Sequence, residues 1–197
     1  MIKKCRIFLS DQTIPRYYRE FLNIQIQRGQ ILGNARIVVA TESYVRKYFF
    51  NAKMFPEIKK GSEMMKAFHP DLFVDFYEGE YICVTMNNID SLGKREKIDN
   101  NITCNYRSNI KNYLQLYSFF GDKMSKRDLT PSNMLYRKSD LKFFIIDWDN
   151  VQYFESKEKC YKFYEDQLCD YRWEKWFNLD RDQMVKIFQE EWKLIAS

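Results

Sequence analysis

Residues 126–149 constrain the fold more tightly than any other stretch of this chain. Lys126-Arg127-Asp128-Leu129-Thr130-Pro131-Ser132-Asn133 carries an Asp and an Asn five positions apart. Thr, Pro, Ser and Asn in succession favour turns over regular structure, so this segment reads as a loop. The run Leu141-Lys142-Phe143-Phe144-Ile145-Ile146 then reads as a short buried strand that ends at Asp147-Trp148-Asp149. A carboxylate closing an apolar strand is less common than one in a solvated turn, because burying an ionised group is costly. The plainest alternative is an N-cap Asp and a turn Asn beside an unrelated strand.

The upstream chain supplies further elements in order. Ile24 to Gln27, Arg28 to Gly33, Ala35 to Ala40 and Tyr44 to Phe50 read as strand, glycine loop, strand, strand. Gly29 and Gly33 suit a loop whose backbone N–H groups cover phosphates, or an ordinary hairpin. Lys47 falls within the strand after that loop. Pro56 to Phe68 reads as a short helix carrying Glu57 and Glu63, with Glu57 in the first turn, where the helix dipole favours an acid. Leu72 to Tyr77 and Glu80 to Ile89 read as two strands joined at Gly79, the second running through Met86 into the polar Asn87 and Asn88.

Glycine loop, Lys, Glu, polar hinge, Asp…Asn, Asp: in this order the chain resembles the protein-kinase-like superfamily from about Ile24 to Val151. Asp128 to Tyr136 with Ile146-Asp147 is similar to the short bacterial effector kinases of the OspG/NleH kind and to small RIO-type kinases. Ile146-Asp147-Trp148-Asp149 also resembles the aminoglycoside and choline kinase branch. The resemblance implies an α+β, bilobal kinase-like fold as a single domain over residues 1–197. A small antiparallel-sheet N-lobe would occupy about residues 1–86, a hinge 87–91, and a truncated, mainly helical C-lobe 92–197. It implies ATP and Mg²⁺ as cofactors. Asp128 would take the proton of the attacking hydroxyl, and Asn133 and Asp147 would hold Mg²⁺, with Asp149 either a further metal ligand or a turn residue. Lys47, paired with Glu63 or Glu57, would orient the α- and β-phosphates under Gly29 and Gly33. Adenine would meet backbone near Met86 and Asn88.

Departures from the family pattern set the branch. Lys126 stands where a His usually precedes Arg-Asp, and Asp149 stands where a Gly usually closes the metal-binding triplet. Only 48 positions separate Asp149 from Ser197, too few for a full activation segment and its supporting helices. The expected activity is that of a minimal protein kinase. A small-molecule kinase of the aminoglycoside or choline type and a pseudokinase acting as a binding module are the alternatives.

Composition fits one compact unit. A chain of 197 residues buries roughly 70% of its unfolded surface, and the 45% hydrophobic and 17% aromatic fractions fill a core. No apolar run reaches the ~18 residues of a membrane span. Five cysteines without a C-x-x-C spacing read as reduced thiols, which implies a cytoplasmic setting, that of a host cell included. His69, the single His, reads as the end of the Pro56–Phe68 helix rather than as a base. The net charge of +5 reads as a solvated lysine surface, with no membrane and no nucleic-acid partner expected. The expected partner is a protein substrate or host protein, with a small-molecule acceptor second. Residues ~105 to ~120 form an amphipathic helix ending at Gly121, placed to brace the Asp128 loop. Asp180 with Gln183 reads as a capping box, and the aromatic residues of 158–177 as core.

Overall fold

The computed structural model describes residues 36–40, 42–49, 51–79, 81–90 and 105–196. Residues 1–20, the strand at Ile24–Gln27 and the loop glycines Gly29 and Gly33 lie outside the described residues. Those that are described form a mixed α/β fold of small antiparallel sheets and five α-helices, compatible with a kinase-like chain path. Contacts divide the chain into two compact units, residues 1–56 with 73–88 and residues 57–72 with 89–197.

The first unit holds β1 (Arg36–Ala40), β2 (Tyr44–Phe49), β3 (Phe73–Glu78) and β4 (Ile82–Asn87) in the order β1-β2-β4-β3. All pairs are antiparallel, and Lys47 stands opposite Val38 and Val84. The central strand β4 is buried from Ile82 to Met86, as its continuous apolar run requires. A bulge between Phe73 and Asp75 shifts the β3 register. At the β3–β4 turn the Gly79 N–H donates to the Tyr81 carbonyl at 3.0 Å, and the rings of Tyr77 and Tyr81 lie 5.1 Å apart.

The second unit takes in the helix α1 (Phe55–Phe68) from Glu57 onward. Its buried face is Ile58, Gly61, Ser62, Met64 and Met65, a helical spacing. A side chain at Gly61 is impossible without rearrangement, because a Cβ there would stand 1.7 Å from the Trp148 carbonyl oxygen. Phe68 packs its ring against Phe119, Phe120, Phe143 and Trp148, with centroids 5.4–6.4 Å away. These contacts explain why α1 groups with the second unit instead of with the sheet.

Four further helices complete that unit: α2 (Tyr106–Phe120), α3 (Lys157–Leu168), α4 (Tyr171–Phe177) and α5 (Arg181–Ala196). Asn105 caps α2 through Ser108 N–H, and Gly121 ends it at φ 71°, a left-handed value that glycine adopts freely. The Asp180–Gln183 capping box closes in both directions, at 2.8 and 3.2 Å. Trp173 centres the aromatic core, with ring centroids 5.7–5.8 Å from Tyr106, Tyr113 and Phe177. Tyr171 departs from that expectation at 72% exposure. Buried Glu191 is compensated by Arg107 at 2.5 Å and Lys111 at 3.4 Å. Cys83, Cys160 and Cys169 are buried free thiols; Cys5 and Cys104 lie outside the described residues. No described helix is long and apolar enough to cross a membrane.

Four short strands stand among these helices: β5 (Met124–Lys126), β6 (Met134–Tyr136), β7 (Phe143–Ile145) and β8 (Val151–Tyr153). The expected strand at Leu141–Ile146 is thus shorter. Leu141 has φ 58° and belongs to the β6–β7 turn, which Arg137 closes by donating to the Lys142 carbonyl at 2.9 Å while Asp140 accepts the Lys142 N–H at 3.1 Å. Local side-chain hydrogen bonding outweighs the apolar character of Leu141 there.

Candidate active site

The pairing of the four short strands creates the site. β5 pairs with β8, and β6 pairs with β7, both antiparallel. Segment 127–133 leaves β5 and enters β6, while segment 146–150 leaves β7 and enters β8, so the two must run side by side. Two backbone bonds join them: Ile146 N–H to the Asn133 carbonyl at 2.8 Å, and Arg127 N–H to the Asn150 carbonyl at 3.1 Å. Asp147 therefore follows directly on the residue that pairs with Asn133.

Asp128 is fixed at both carboxylate oxygens. Asn133 Nδ2 donates to Oδ2 at 3.0 Å, and Arg172 Nη1 donates to Oδ1 at 2.9 Å. The Asp128 carbonyl accepts from Asn133 Nδ2 at 3.1 Å and from Lys126 Nζ at 2.5 Å. Lys126 is fully buried, so this cation stabilises loop backbone rather than meeting solvent. The Asp128 side chain keeps 46% exposure.

The rest of the loop is pinned from the helices. Trp173 Nε1 donates to the Leu129 carbonyl at 3.0 Å, and the Tyr113 hydroxyl donates to the Thr130 carbonyl at 2.5 Å. Gln167 Oε1 accepts the Leu129 N–H at 3.4 Å. Burial, reinforced by the Asp128 charge, holds the Tyr113 phenol well above its ordinary pKa, so it stays a donor. Arg172 is itself held by Asp170, whose carboxylate accepts from Nε at 2.6 Å and also from the Arg172 N–H at 2.8 Å as the N-cap of α4. Burial lowers the pKa of this guanidinium, but Asp170 and Asp128 outweigh it and raise the value overall.

The second segment is built differently. Asp147 sits at φ 67°, a left-handed conformation that Asp tolerates better than most residues. Trp148 is buried and donates Nε1 to the Ile145 carbonyl at 2.6 Å, while its own carbonyl lies against Gly61. His69 Nε2 accepts the Ile145 N–H at 2.9 Å. Burial first, then the nearby Lys142 charge, pull the His69 pKa down from 6.5 to about 4, so the ring is a neutral acceptor. α1 ends at Phe68, with the His69 N–H donating to the Met65 carbonyl at 2.7 Å, where the sequence reading put the helix terminus. Asp149 is buried at 8% exposure.

The donor set suits a hard divalent cation. With Asn133 Nδ2 donating to Asp128, its Oδ1 is an oxygen that could hold a metal, and Asp147 is the next carboxylate-bearing residue after Ile146, whose N–H bonds the Asn133 carbonyl. Mg²⁺ takes such oxygen ligands one or two at a time and fills its shell with water and phosphate. Among the described residues no group of three or more His, Cys, Asp and Glu is placed to hold a metal, which leaves this smaller set.

The remaining expected residues lie on β2, β4, the residue after β4 and α1. Lys47 is buried in β2, in the first unit, with Met86 buried in β4. Asn88 gives its N–H to the Ser43 carbonyl at 2.9 Å. Glu57 is exposed in the first turn of α1. Glu63 lies two turns further, 58% exposed, and pairs with Lys60 at 3.4 Å on the same helix. The Arg127 side chain is exposed, and it is Arg172, 44 positions past Asp128, that reaches the carboxylate. The sequence carried one signal for it: Asp170 as the cap of an aromatic helix, with an Arg two positions on.

No protein-family model matches this chain, and no curated protein matches it. Solved structures of WbdD are similar to it. A 2.2 Å crystal structure of WbdD shares 11% identity over 80% of this chain and 43% of its own, with a TM-score of 0.46. Monomeric WbdD shares 13% over 79% and 44%, at 0.44. A structure described as the bifunctional kinase-methyltransferase WbdD shares 12% over 80% and 42%, at 0.45. The chain spans less than half the length of these proteins.

Proposed function

We propose that this protein is a Mg²⁺- and ATP-dependent phosphotransferase whose acceptor is a protein hydroxyl. One observation carries the reading. Asn133 joins Asp128 through its side chain and the Asp147 segment through its backbone, which unites the proton acceptor and the cation ligands in one hydrogen-bonded unit. Asp128 accepts the proton of the attacking hydroxyl, oriented by Arg172 and Asn133. Asn133 Oδ1 and Asp147 offer the oxygens for Mg²⁺, with Asp149 either a further ligand or a turn residue. The metal, when bound, neutralises charge on the transferring phosphoryl group. Lys47 as the phosphate-orienting cation rests on sequence order alone. A cytoplasmic setting suits an ATP-dependent enzyme with free thiols.

A thermal melt with and without Mg²⁺-ATP tests the nucleotide half of this reading. ATP at ~100 times its Kd adds about 2.7 kcal/mol of stability. Transfer of label from ATP to a generic protein acceptor tests the other half. Asp128→Ala should slow transfer by about 10²- to 10⁴-fold while leaving the ATP-induced shift in place. Absence of both shift and transfer would sink the proposal. A shift without transfer would leave a pseudokinase, and transfer only to a small alcohol would leave a small-molecule kinase.

A further inference from the structure

Beside Asp128 lies a cavity of about 280 Å³ lined by Thr130, Pro131, Ser132, Tyr171, Arg172, Lys175 and Trp176. One wall is the loop that follows the proposed base, and the other is one face of α4. Arg172 belongs to both places, since it lines the cavity and bonds Asp128 Oδ1 at 2.9 Å. A group seated here is therefore one guanidinium away from the carboxylate.

The lining has a definite chemical sense. It contains two cations and no acid. Arg172 already serves Asp128 and Asp170, but Lys175 is exposed and makes no ion pair with a described residue. Its charge is the one in this wall not committed to the fold. Tyr171, 72% exposed, and Trp176 add aromatic surface at the helical spacing of Arg172 and Lys175, and Thr130 and Ser132 add hydroxyls 2.9 Å from each other. The volume is below the roughly 300–1,000 Å³ of a site that engulfs a drug-sized ligand. It suits one or two side chains of a longer chain passing across the surface.

Resting on the phosphotransferase reading, we infer that this cavity is the acceptor subsite and that it takes an acidic protein segment, with a carboxylate beside the acceptor hydroxyl meeting Lys175 and Arg172. A polycationic acceptor is disfavoured by the same charges.

Two fluorescein-labelled peptides test this on the full chain without nucleotide: a central Ser flanked by three Glu on each side, and the same Ser flanked by Lys. Anisotropy should show the Glu peptide binding at least tenfold tighter, with affinity falling as KCl rises. Lys175→Glu should abolish or reverse the preference, Lys175→Gln should weaken it, and Lys186→Glu, a charge change on α5, should leave it intact. Melts of each variant confirm folding, which the exposure of Lys175 favours. Equal affinity for the two peptides, or a preference untouched by Lys175→Glu, overturns the inference. The same peptides with labelled ATP separate the two readings. Transfer to the Lys peptide in preference to the Glu peptide keeps the kinase and discards the acidic subsite. Selective, Lys175-dependent binding of the Glu peptide with no transfer keeps the subsite and discards the kinase.

Discussion

The loop that carries Asp128 is held by side chains arriving from distant helices, whereas the turn that carries Asp147 is held by close backbone packing. Tyr113, Gln167, Arg172 and Trp173 all reach the first segment, each through a polar atom. The second depends on a missing side chain at Gly61, on the neutral ring of His69 and on a left-handed residue. The difference suits their proposed chemistry. A general base needs a fixed direction, which hydrogen bonds to both carboxylate oxygens and to the adjoining backbone supply. A cation ligand needs a fixed position, which the packing of this turn supplies.

That contrast can be broken by substitution. Trp173→Ala should cost most, about 3–5 kcal/mol in chemical denaturation, because it removes a fully buried ring and the donor to Leu129 together. A loss under 1 kcal/mol would mean the loop does not depend on the helices. Gly61→Ala should come next, at about 3 kcal/mol. The clash is with backbone, which cannot swing aside as the end of a flexible side chain can. If α1 moved away freely, the variant would melt with the parent, and the Asp147 turn would not be packing-controlled.

Acid sharpens the same comparison. The folded chain resists protonating His69 until about pH 4, whereas the unfolded chain takes up that proton near 6.5. Between these values the unfolded state binds more protons, so stability rises with pH through the window and falls as pH drops from 6.5 toward 4. His69 alone accounts for up to ~3 kcal/mol of that loss. Denaturation curves of the parent and of His69→Gln at pH 7 and pH 4.5 should show a smaller pH effect in the variant. An identical pH dependence would remove His69 from the account. The smallest effect belongs to Arg172. Arg172→Gln should lower kcat about tenfold with little change in the KM for ATP. In an Asp128→Asn background the same change should do almost nothing to the rate. An equal loss in both backgrounds would make Arg172 a structural residue only.

Local signals in the sequence reported well on whatever they governed locally. Gly121 ends α2 because only the helix end needs its backbone freedom, and the Asp180–Gln183 box needs just four consecutive residues. The four strands read between Ala35 and Ile89 appear with boundaries shifted by one or two residues. Leu141 misled because apolar character does not report the turn that Arg137 and Asp140 impose around it. Asp128, Asn133 and Asp147 were legible as candidate residues by type and spacing. Arg172 was not, since a partner 44 positions away is chosen by how α4 packs, and spacing carries no record of that.

The buried thiols have a further consequence. Burial raises Cys160 to about 12, with the Asp122 charge adding to it, and raises Cys169 to about 11 against the opposing hydrogen bond from Tyr106. Only the thiolate reacts with alkylating agents and oxidants, so both sulfurs stay chemically silent while the helices around them remain closed. Cys83 occupies the same sheltered condition within β4. Each sulfur is thus a natural timer of breathing: the rate at which a reagent marks it measures how often that neighbourhood opens, separately for the sheet and for the helices.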